Sequence, residues 1–397
     1  MTDIERLFSD SSLLVPSRLH ECVLRGGFRP ERQAAIYLIY DVIAQKCSRM
    51  KAKWTRISDK SFGNVVKNHT RKSAEKKWLE ENGFIEIKKW RSPDGTLKNS
   101  KIPGKQCQAY RLIEQECECI WVNLWRRELV WPTFTEGDQM CQYTRHVLNQ
   151  IELDQAQIAA MCLGECDHSR LSPARKMAIL HWARVLELGT GSVRRGRRVN
   201  RLYSPWTSAP RELRKACQLI GEAIATFDLQ ASQPTLIGVL AEDDAFSNAC
   251  LSDELYGGIC KLFGINRDEA KPTFLSYIYG RNRTPKARNK RAFLVQQYVE
   301  EHFPKTHAYI WQRKQADHTQ FACHLQNLEA ELFVNALLAT MKQKGIPALT
   351  VHDCLAVPES RLEEALEIAR EILKPRLGGK AKLRLSHGGK EEQSIAI

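Results

Sequence analysis

The spacing of apolar and polar residues predicts a series of short elements in the first third of the chain. The stretch PERQAAIYLIYDVIAQKC has apolar residues at helical spacing, with Ala34, Leu38 and Val42 on one face. Ser58 is suited to be the N-cap of a short second helix, and NHTRKSAEKKWLEENG predicts a third helix that ends at its Asn-Gly pair. Two strands should follow, FIEIKKW and CQAYRLI, joined by a turn-rich segment.

The third predicted helix is strongly basic on its polar face. That face holds Arg71, Lys72, Lys76 and Lys77, and the buried side holds Ala74, Trp78 and Leu79. Helix, helix, basic helix and hairpin in this order resemble a winged helix-turn-helix over residues 28–113, similar to those of plasmid and phage replication initiators. The resemblance implies that the basic helix lies in a DNA major groove; a winged helix used for protein contacts is the alternative.

Two aspartates interrupt apolar runs in the second half of the chain. Asp228 ends the strand-like part of ATFDLQASQPTLIGVL and leads into a helix, and Asp353 lies within PALTVHDCLAVP, which reads as buried strand or hairpin. A buried carboxylate needs a compensating partner. If the two strands are neighbours, the carboxylates form one site of the kind that binds Mg²⁺ beside substrate phosphates. Two separate structural aspartates are the alternative.

The stretch RDEAKPTFLSYIYGR, between the aspartates, predicts a helix with a cationic face. Arg267 and Lys271 lie one turn apart on that face, and Tyr279 lies two further turns along. Cations in this arrangement suit a triphosphate, and an aromatic residue suits a base or sugar. Pro272 directly follows Lys271 and is expected to bend or end the helix.

The order of these motifs resembles the family A DNA polymerases and the related single-subunit phage-type RNA polymerases. The resemblance covers about residues 195–397, and it includes NRLYSPWTSAPRELRKA upstream and LQNLEAELFVNALL before the second aspartate. The residues that carry it are Asp228, Arg267, Lys271, Tyr279, Gly280, His352 and Asp353.

The resemblance implies a role for each residue of the site. Asp228 and Asp353 would hold two Mg²⁺ ions, or Mn²⁺, with the main-chain carbonyl of Leu229 as a further ligand. Arg267 and Lys271 would bind the triphosphate, and Lys271 would protonate the leaving pyrophosphate. The reaction would be attack of a 3′-hydroxyl on the α-phosphate of a nucleotide.

Other residues would contact the nucleic acid. Tyr279 would stack near the nascent base pair, and His352 would touch the primer end. Arg201 would contact the minor groove of the primer-template, and Gln326 the template strand.

Three positions depart from the family's pattern. Gln233 would bind the nucleotide where the DNA polymerases carry a glutamate that excludes the ribose 2′-hydroxyl and the RNA polymerases carry glycine. Cys354 replaces the glutamate or serine that follows the second aspartate, and Leu275 replaces an aromatic residue common in the DNA enzymes. The choice between deoxynucleotides and ribonucleotides therefore stays open.

Composition limits the class of protein. The 397 residues are 43% apolar and 27% charged, which is ordinary for a soluble globular protein, and no leader or membrane-spanning stretch is expected. Thirteen scattered cysteines indicate reduced thiols in a cytoplasm. The resemblance to phage-type polymerases and replication initiators implies that this is the cytoplasm of a bacterial host or a phage-infected cell. Zinc binding by Cys117, Cys119, Cys162, Cys166 and His168 is an open alternative whose spacing fits no common pattern.

Charge points to a polyanionic partner. The formal net charge is +14, and residues 51–111 carry 16 Lys or Arg against 6 Asp or Glu. The runs RRGRRVNR and RNRTPKARNKR contain no acidic residue. Such blocks attract nucleic acid and release its counterions.

We therefore expect an α+β protein, a right-hand polymerase of palm, fingers and thumb with an N-terminal winged helix-turn-helix. The expected domains are a winged helix (1–114), a helical thumb or connector (115–194), and a palm-and-fingers core (195–397, with fingers about 250–310). The expected function is a monomeric DNA polymerase without proofreading, acting on primed DNA template and dNTPs in replication of a plasmid, phage or mobile element. The alternatives are an RNA polymerase or primase that uses rNTPs, template-independent nucleotide transfer, and a non-catalytic DNA-binding initiator.

Overall fold

The structure is a computed structural model that describes residues 12–49, 54–57, 69–91, 97–99, 108–113, 119–123, 134–163, 171, 173–282, 290–387 and 393–397. The chain divides into two compact units. Unit 1 comprises 1–133, 153–191 and 208–217, and unit 2 comprises 134–152, 192–207 and 218–397. The domain boundaries expected from the sequence stay predictions.

The described strands are short except for one. In chain order they are β1 (Ser12–Pro16), β2 (Thr55–Ile57), β3 (Ile85–Ile87), β4 (Lys89–Arg91), β5 (Leu97–Asn99), β6 (Gln108–Leu112), β7 (Cys119–Asn123), β8 (Phe134–Thr135), β9 (Ile151–Leu153), β10 (Ser192–Arg195), β11 (Leu202–Tyr203), β12 (Cys217–Leu219), β13 (Glu222–Leu229), β14 (Leu349–Val351), β15 (Cys354–Pro358), β16 (Lys382–Ser386) and β17 (Gln393–Ala396).

The described helices carry most of the remaining residues. They are α1 (Ser17–Arg25), α2 (Pro30–Arg49), α3 (His69–Glu81), α4 (Gln139–Leu148), α5 (Gln155–Leu163), α6 (Pro173–Glu187), α7 (Pro205–Ser208), α8 (Arg211–Lys215), α9 (Ser232–Leu240), α10 (Asp244–Leu251), α11 (Glu254–Phe263), α12 (Arg267–Tyr279), α13 (Lys290–His302), α14 (Pro304–Ala330), α15 (Ala339–Gln343) and α16 (Leu362–Leu377). A π-helical segment, Glu331–Leu338, joins α14 to α15, and a 3₁₀ turn, Glu359–Arg361, precedes α16.

Unit 1 contains a small antiparallel sheet beside two helices. The strand order is β2-β6-β3, with Ile85 opposite Leu112 and Thr55 opposite Tyr110. Helices α2 and α3 pack on one another, and α2 also packs on β6. The predicted first and third helices and the strand pair are confirmed at α2, α3, β3 and β6, whereas β2 was not predicted. The second helix expected at Ser58 lies outside the described residues.

The burial predicted from the sequence for α2 and α3 is partly wrong. Helix α2 is buried on more than one face, because residues 35–44 are nearly all inaccessible, and α6 covers it in addition to α3. In α3, Lys76 is 6% exposed with its ammonium 5.6 Å from the centre of the Tyr110 ring, whereas Ala74 is exposed. The predicted places of Lys76 on the polar face and of Ala74 on the buried face are both wrong.

The exposure of the other described basic side chains of α3 agrees better with the prediction. Lys77 is exposed and pairs with Glu81 at 3.4 Å, and Lys72 is half-buried. The side chain of Arg71 lies outside the described part. Helix α3 ends where Gly83 takes a positive φ of 74°, a conformation that glycine adopts without a Cβ clash.

Unit 2 contains an antiparallel sheet in which β13 is the long central strand. Its neighbours are β15 on one side and β16 on the other. β14 pairs with β15, and β17 pairs with β16. Alternate residues of β13 are buried, with Ala225, Phe227 and Leu229 inaccessible, as expected for a strand covered on one face.

The helices of unit 2 enclose a second core. Phe246, Tyr256, Phe274 and Tyr277 from α10, α11 and α12 are almost completely buried in it, together with residues of α13 and α14. Buried Asp243 fixes this bundle, because its carboxylate accepts hydrogen bonds from Phe246 N at 3.1 Å and from Thr306 N and Oγ1 at 3.1 and 2.9 Å. Such a satisfied buried carboxylate holds α10 and α14 in register.

Two helices of unit 2 differ from simple expectation. Pro272 was predicted to bend or end the helix; α12 does not end there, because it runs from Arg267 to Tyr279 with Pro272 inside it. Pro272 is exposed, and water can solvate the carbonyl that loses its partner there. Helix α14 is interrupted at Asp317, whose φ of −157° is extended backbone.

Candidate active site

Sheet pairing in unit 2 brings the two predicted aspartates together. Asp228, one residue from the end of β13, lies opposite Cys354 of β15. The amide of the next residue, Leu229, donates a hydrogen bond to the carbonyl of Asp353 at 3.1 Å. Paired residues of adjacent strands have Cα atoms about 5 Å apart. The 125 residues that separate the aspartates in sequence therefore do not separate them in space.

Asp353 lies in a two-residue turn between β14 and β15. Val351 pairs with Cys354 across this turn, and His352 occupies its first position with a φ of 61°. A left-handed residue at this position is usually glycine, and a histidine there stores about 1 kcal/mol or more of backbone strain. The His352 ring makes an edge contact with Tyr203 at a centroid distance of 6.3 Å. Strain of this kind concentrates at functional sites.

The surroundings of Asp353 disfavour the ionised form of its carboxyl group. Burial, and after it the charge of Glu329, raises the pKa of Asp353 to about 6, although Lys271 and Arg201 act in the opposite direction. An acid whose ionised form is disfavoured in this way is a good ligand for a cation that reaches it. The described residues include no cluster of three or more side chains suited to hold a metal ion.

Arg384 of β16 is a site residue that the sequence did not predict. It lies opposite Asp228 in the sheet, and its Nε is 4.0 Å from Asp228 Oδ1. Asp228 therefore has a cationic partner within the sheet itself. No local signal identifies Arg384, because its place depends on the register of β16 against β13.

Glu329 of α14 is the second residue missed. Its carboxylate is 2% exposed, pairs with Arg201, and accepts hydrogen bonds from Gln233 Nε2 at 2.6 Å and Ser232 Oγ at 3.3 Å. The sequence carried a signal for it, because Glu329 lies one helical turn after Leu325, which is also buried. A carboxylate on an apolar helix stripe requires a buried partner.

Helix α12 brings two of its predicted residues to this site. Tyr279 shares a side-chain hydrogen bond with Gln326, and its pKa is raised chiefly by burial. The charges of Arg201, Glu329 and Asp353 also act on Tyr279, which places these groups near one another. Lys271 is exposed, and its charge acts on Asp353.

Arg267 is the exception among the predicted site residues. Its guanidinium makes a bidentate pair with Asp253, with Nε and Nη2 at 2.6 and 2.7 Å from the two carboxylate oxygens. The same guanidinium lies 5.2 Å from the centre of the Tyr256 ring. In this conformation the Arg267 guanidinium therefore contacts Tyr256 of α11 and Asp253, the N-cap residue of that helix.

The alternative zinc site cannot be assembled from the described residues. Cys117, Cys166 and His168 lie outside them, as does the side chain of Cys119. Cys162 is buried in α5. Among the described helices, none combines the length and the apolar character that crossing a membrane requires.

Comparison with known proteins gives little further information. No family model matches the chain, and no curated protein is similar to it. Among solved structures, it resembles the POL domain of Pol1 from M. smegmatis in complex with DNA primer-template and dNTP, with 16% identity and a TM-score of 0.40 over 54% of this chain. The matched part spans about half of that structure, 51% of its chain. Similarity at this level establishes neither the fold nor the function.

Proposed function

We propose that the chain is a template-directed nucleotidyltransferase, a DNA polymerase of family A type that extends a primer on a DNA template. The observation that carries the proposal is the pairing of β13 with β15, which brings Asp228 close to Asp353 in the sheet. It is supported by the charges of Lys271 and Arg201, which act on Asp353. This agreement between the sequence motifs and the sheet register would be a coincidence in an unrelated protein.

The donor set of the site fits a hard divalent cation. Asp228 and Asp353 would supply carboxylate oxygens, Leu229 could add its carbonyl, and the pKa of Asp353, raised chiefly by burial, indicates a carboxylate that a bound cation would stabilise. Mg²⁺ bound there would activate the attacking hydroxyl and stabilise the leaving oxygen.

The protein's own residues would perform the remaining tasks. Lys271 would bind the triphosphate and donate a proton to the leaving pyrophosphate. Arg267 would join it after leaving Asp253. Tyr279 would support the new base pair, and Gln326, Arg201 and His352 would contact the primer-template. With no exonuclease cluster predicted, the enzyme would not proofread.

Unit 1 would provide a separate DNA contact. The basic face of α3 and the antiparallel β3-β6 pair support a winged helix there, through Arg71, Lys72 and Lys77. Together with unit 2 this would make a monomeric replication protein of a plasmid, phage or other mobile element.

Primer extension tests the proposal. Purified chain with Mg²⁺, four dNTPs and a primed template should extend the primer, and Asp353→Ala or Asp228→Ala should abolish extension. Asp244→Ala is a matched control, since the Asp244 carboxylate is 75% exposed and pairs with Lys380. If the wild type and Asp353→Ala are equally inactive with dNTPs, the proposal of a DNA polymerase fails.

An RNA polymerase or primase is the second candidate. Gln233, Cys354 and Leu275 favour it, because none is the residue typical of the DNA enzymes at its position. Incorporation of rNTPs and dNTPs in parallel, with and without a primer, separates the two. Homopolymer templates identify template-independent transfer, since the incorporated base then does not follow the template.

A further inference from the structure

The small sheet of unit 1 has an outer face that points away from the core. Strand β6 is central in the order β2-β6-β3, and its Tyr110 is completely buried in the core that includes residues of α2 and α3. Because successive side chains of a strand point to opposite faces, Ala109 and Arg111 of β6 point outward. Lys88, directly after β3, donates its amide to the Ala109 carbonyl at 2.9 Å, so it continues the pairing and lies on the outer face too.

Trp54 extends β2 by one residue and joins this outer face. Thr55 pairs with Tyr110, so Trp54 comes beside Arg111 at the next position of the register. The guanidinium carbon of Arg111 lies over the Trp54 ring at 5.2 Å from its centre, and Lys88 Nζ at 5.7 Å. Arg111 belongs to β6 and Lys88 follows β3, and both strands lie on the same side of β2. The two cations therefore approach the same face of the indole.

The opposite face of the indole is the one that a ligand can reach. In the part of the chain that the structure describes, β2 is the edge strand of its sheet, so no strand of the sheet lies beside that ring face. Trp54 is half-buried, and its exposed part belongs to this side. Arg56, which pairs with Ala109 and therefore lies on the outer face, is exposed. The indole thus presents a flat aromatic surface beside cationic side chains.

These groups select the chemistry of the ligand. The outer face carries three cations, Arg56, Lys88 and Arg111, and one carboxylate, Glu86, which pairs with Arg111. A positive surface binds an anion, and an indole face stacks on a planar ring. An unpaired nucleotide offers both, whereas the bases within a duplex are already stacked on one another. An acidic peptide satisfies the charge and leaves the indole face without a planar partner.

We propose that Trp54, Arg56 and Lys88 form a site for an unpaired nucleotide of a single-stranded nucleic acid, with the base stacked on the indole and a phosphate bound by the two cations. The Arg111–Glu86 pair supports the ring from its other face. The site lies on the opposite side of the sheet from α3, the helix proposed to contact duplex DNA, because α3 packs on the Tyr110 side. It is a second contact of unit 1 and does not depend on the proposed nucleotidyl transfer.

Binding of the full chain to two labelled strands tests the stacking. One strand is an oligothymidylate, and the other is an abasic strand of equal length, which carries the same phosphates without bases. Wild type should bind the oligothymidylate more tightly. Trp54→Leu should weaken its binding about tenfold to a hundredfold and change that of the abasic strand by less than about twofold. Trp54→Phe, which retains an aromatic ring, should lie between wild type and Trp54→Leu, and melting temperatures report folding.

The cations should act on both strands alike, because they bind phosphate. Arg56→Ala and Lys88→Ala should each weaken binding of both strands and lower the slope of log affinity against log salt by about 0.7. Arg25→Ala is the control with the same change of charge, since the Arg25 side chain in α1 is 77% exposed and pairs with Glu21. It should leave the salt slope and the preference for the base-bearing strand unchanged.

Photo-crosslinking locates the base on the protein. An oligothymidylate with one iodouracil should crosslink to Trp54, as mass spectrometry of the digested chain would show. Oligouridylate in the same binding assay distinguishes RNA from DNA. An equal loss with Trp54→Leu on both strands assigns the site to either nucleic acid, and a loss on one strand assigns it to that one.

Three results would overturn the inference. The first is a folded Trp54→Leu protein that binds oligothymidylate and oligouridylate as tightly as wild type does, because the indole then only supports the sheet. The second is equal wild-type affinity for base-bearing and abasic strands with no crosslink at Trp54. The third is a polyglutamate of equal charge that binds as tightly and with the same dependence on Trp54, which would assign the face to acidic peptides. If Trp54→Leu does not fold, Trp54→Phe and the crosslink decide.

Discussion

At the scale of single residues, the site is defined by which carboxylates lie close together. Asp353, Glu329 and Asp228 all lie in one part of unit 2, and Arg201, Arg384 and Lys271 are the cations that act on them. The raised pKa of Asp353 has a consequence for stability, because protons bind differently to the folded and unfolded chains.

Asp353→Asn should stabilise the metal-free protein at neutral pH. The pKa of Asp353 is raised to about 6 by burial and by Glu329, whereas an unfolded aspartate titrates near 3.9. Between these values the folded chain binds the extra proton, so wild-type stability falls as pH rises through this window and the loss is complete above it. The gain in the free energy of unfolding should be on the order of 1–2 kcal/mol at pH 7.5 after allowance for solvent screening.

Urea denaturation of both proteins in chelator, at pH 4 and pH 7.5, measures this effect. The two proteins should differ least at the lower pH. A wild type that gains stability relative to Asp353→Asn on going to pH 7.5 would show that the carboxylate is stabilised in the fold rather than desolvated.

Asp253→Asn should strengthen nucleotide binding. The bidentate pair with Asp253 holds Arg267, which must be released before it can reach a triphosphate. Both side chains are more than a third exposed, so the pair contributes only about 0–1 kcal/mol, and its loss should lower the KM for dNTPs by at most about fivefold. Asparagine also tolerates the φ of 64° at this position.

Steady-state kinetics of Asp253→Asn, Arg267→Ala and the double variant measure this release. Arg267→Ala should raise the KM, and adding Asp253→Asn to it should change nothing further. If Asp253→Asn raises the KM instead, the pair orients α12 for binding and does not compete with the nucleotide.

At the scale of elements, helix α3 shows how burial decides the role of a basic residue. Lys76 and Lys77 are neighbours, yet Lys76 is 6% exposed against the Tyr110 ring, while the Lys77 side chain is 74% exposed. Periodicity assigned both to one polar face, because it counts residues without knowing how much of the helix the surrounding elements cover.

Lys76→Ala and Lys77→Ala should therefore affect different properties: Lys76→Ala the stability of the fold, and Lys77→Ala the binding of DNA. Lys76→Ala should lower the free energy of unfolding by about 1–3 kcal/mol, since it removes a packed stem and a contact with an aromatic face. Lys77→Ala should change stability by less than about 0.5 kcal/mol and should weaken DNA binding, because the exposed Lys77 ammonium can exchange its surface pair with Glu81 for a phosphate. Denaturation and DNA titration of the two variants measure this, and equal effects of both on stability would contradict it.

Helices and strands that are specified by their own residues and immediate neighbours were predicted well. Helices α2, α3, α9 and α12, and strands β3, β6 and β13, follow from apolar period, caps and terminal glycine, which depend on neighbouring residues. Strand β2 was missed because it is three residues long and owes its pairing to β6. Pro272 was given too much weight, because an exposed proline within a packed helix can be tolerated.

At the scale of the whole molecule, the positive charge should dominate binding to nucleic acid. The net charge is +14, and Arg197 and Arg198 are exposed within the run RRGRRVNR. A protein that neutralises six to ten phosphates loses about 10³–10⁵ in affinity between 50 and 200 mM salt. We expect a loss of at least about 10³ for the full chain on double-stranded DNA.

Fluorescence anisotropy across this salt range measures the slope. Arg197→Ala/Arg198→Ala should reduce the slope of log affinity against log salt by about 2, if both residues contact phosphates. An unchanged slope would show that this run does not contact DNA. Glu363→Ala/Glu367→Ala on exposed positions of α16 is the control of opposite charge.

The order of the helices and strands, and the types of residue in the proposed site, follow from the amino-acid sequence alone. These properties depend on interactions within a few residues, which a linear pattern records. Only the tertiary structure decided which groups meet: Glu329 with Gln233 and Arg201, Arg384 with Asp228, and Asp253 with Arg267. Such meetings depend on strand register, helix packing and burial between segments that can lie more than 100 residues apart, and no local pattern encodes them.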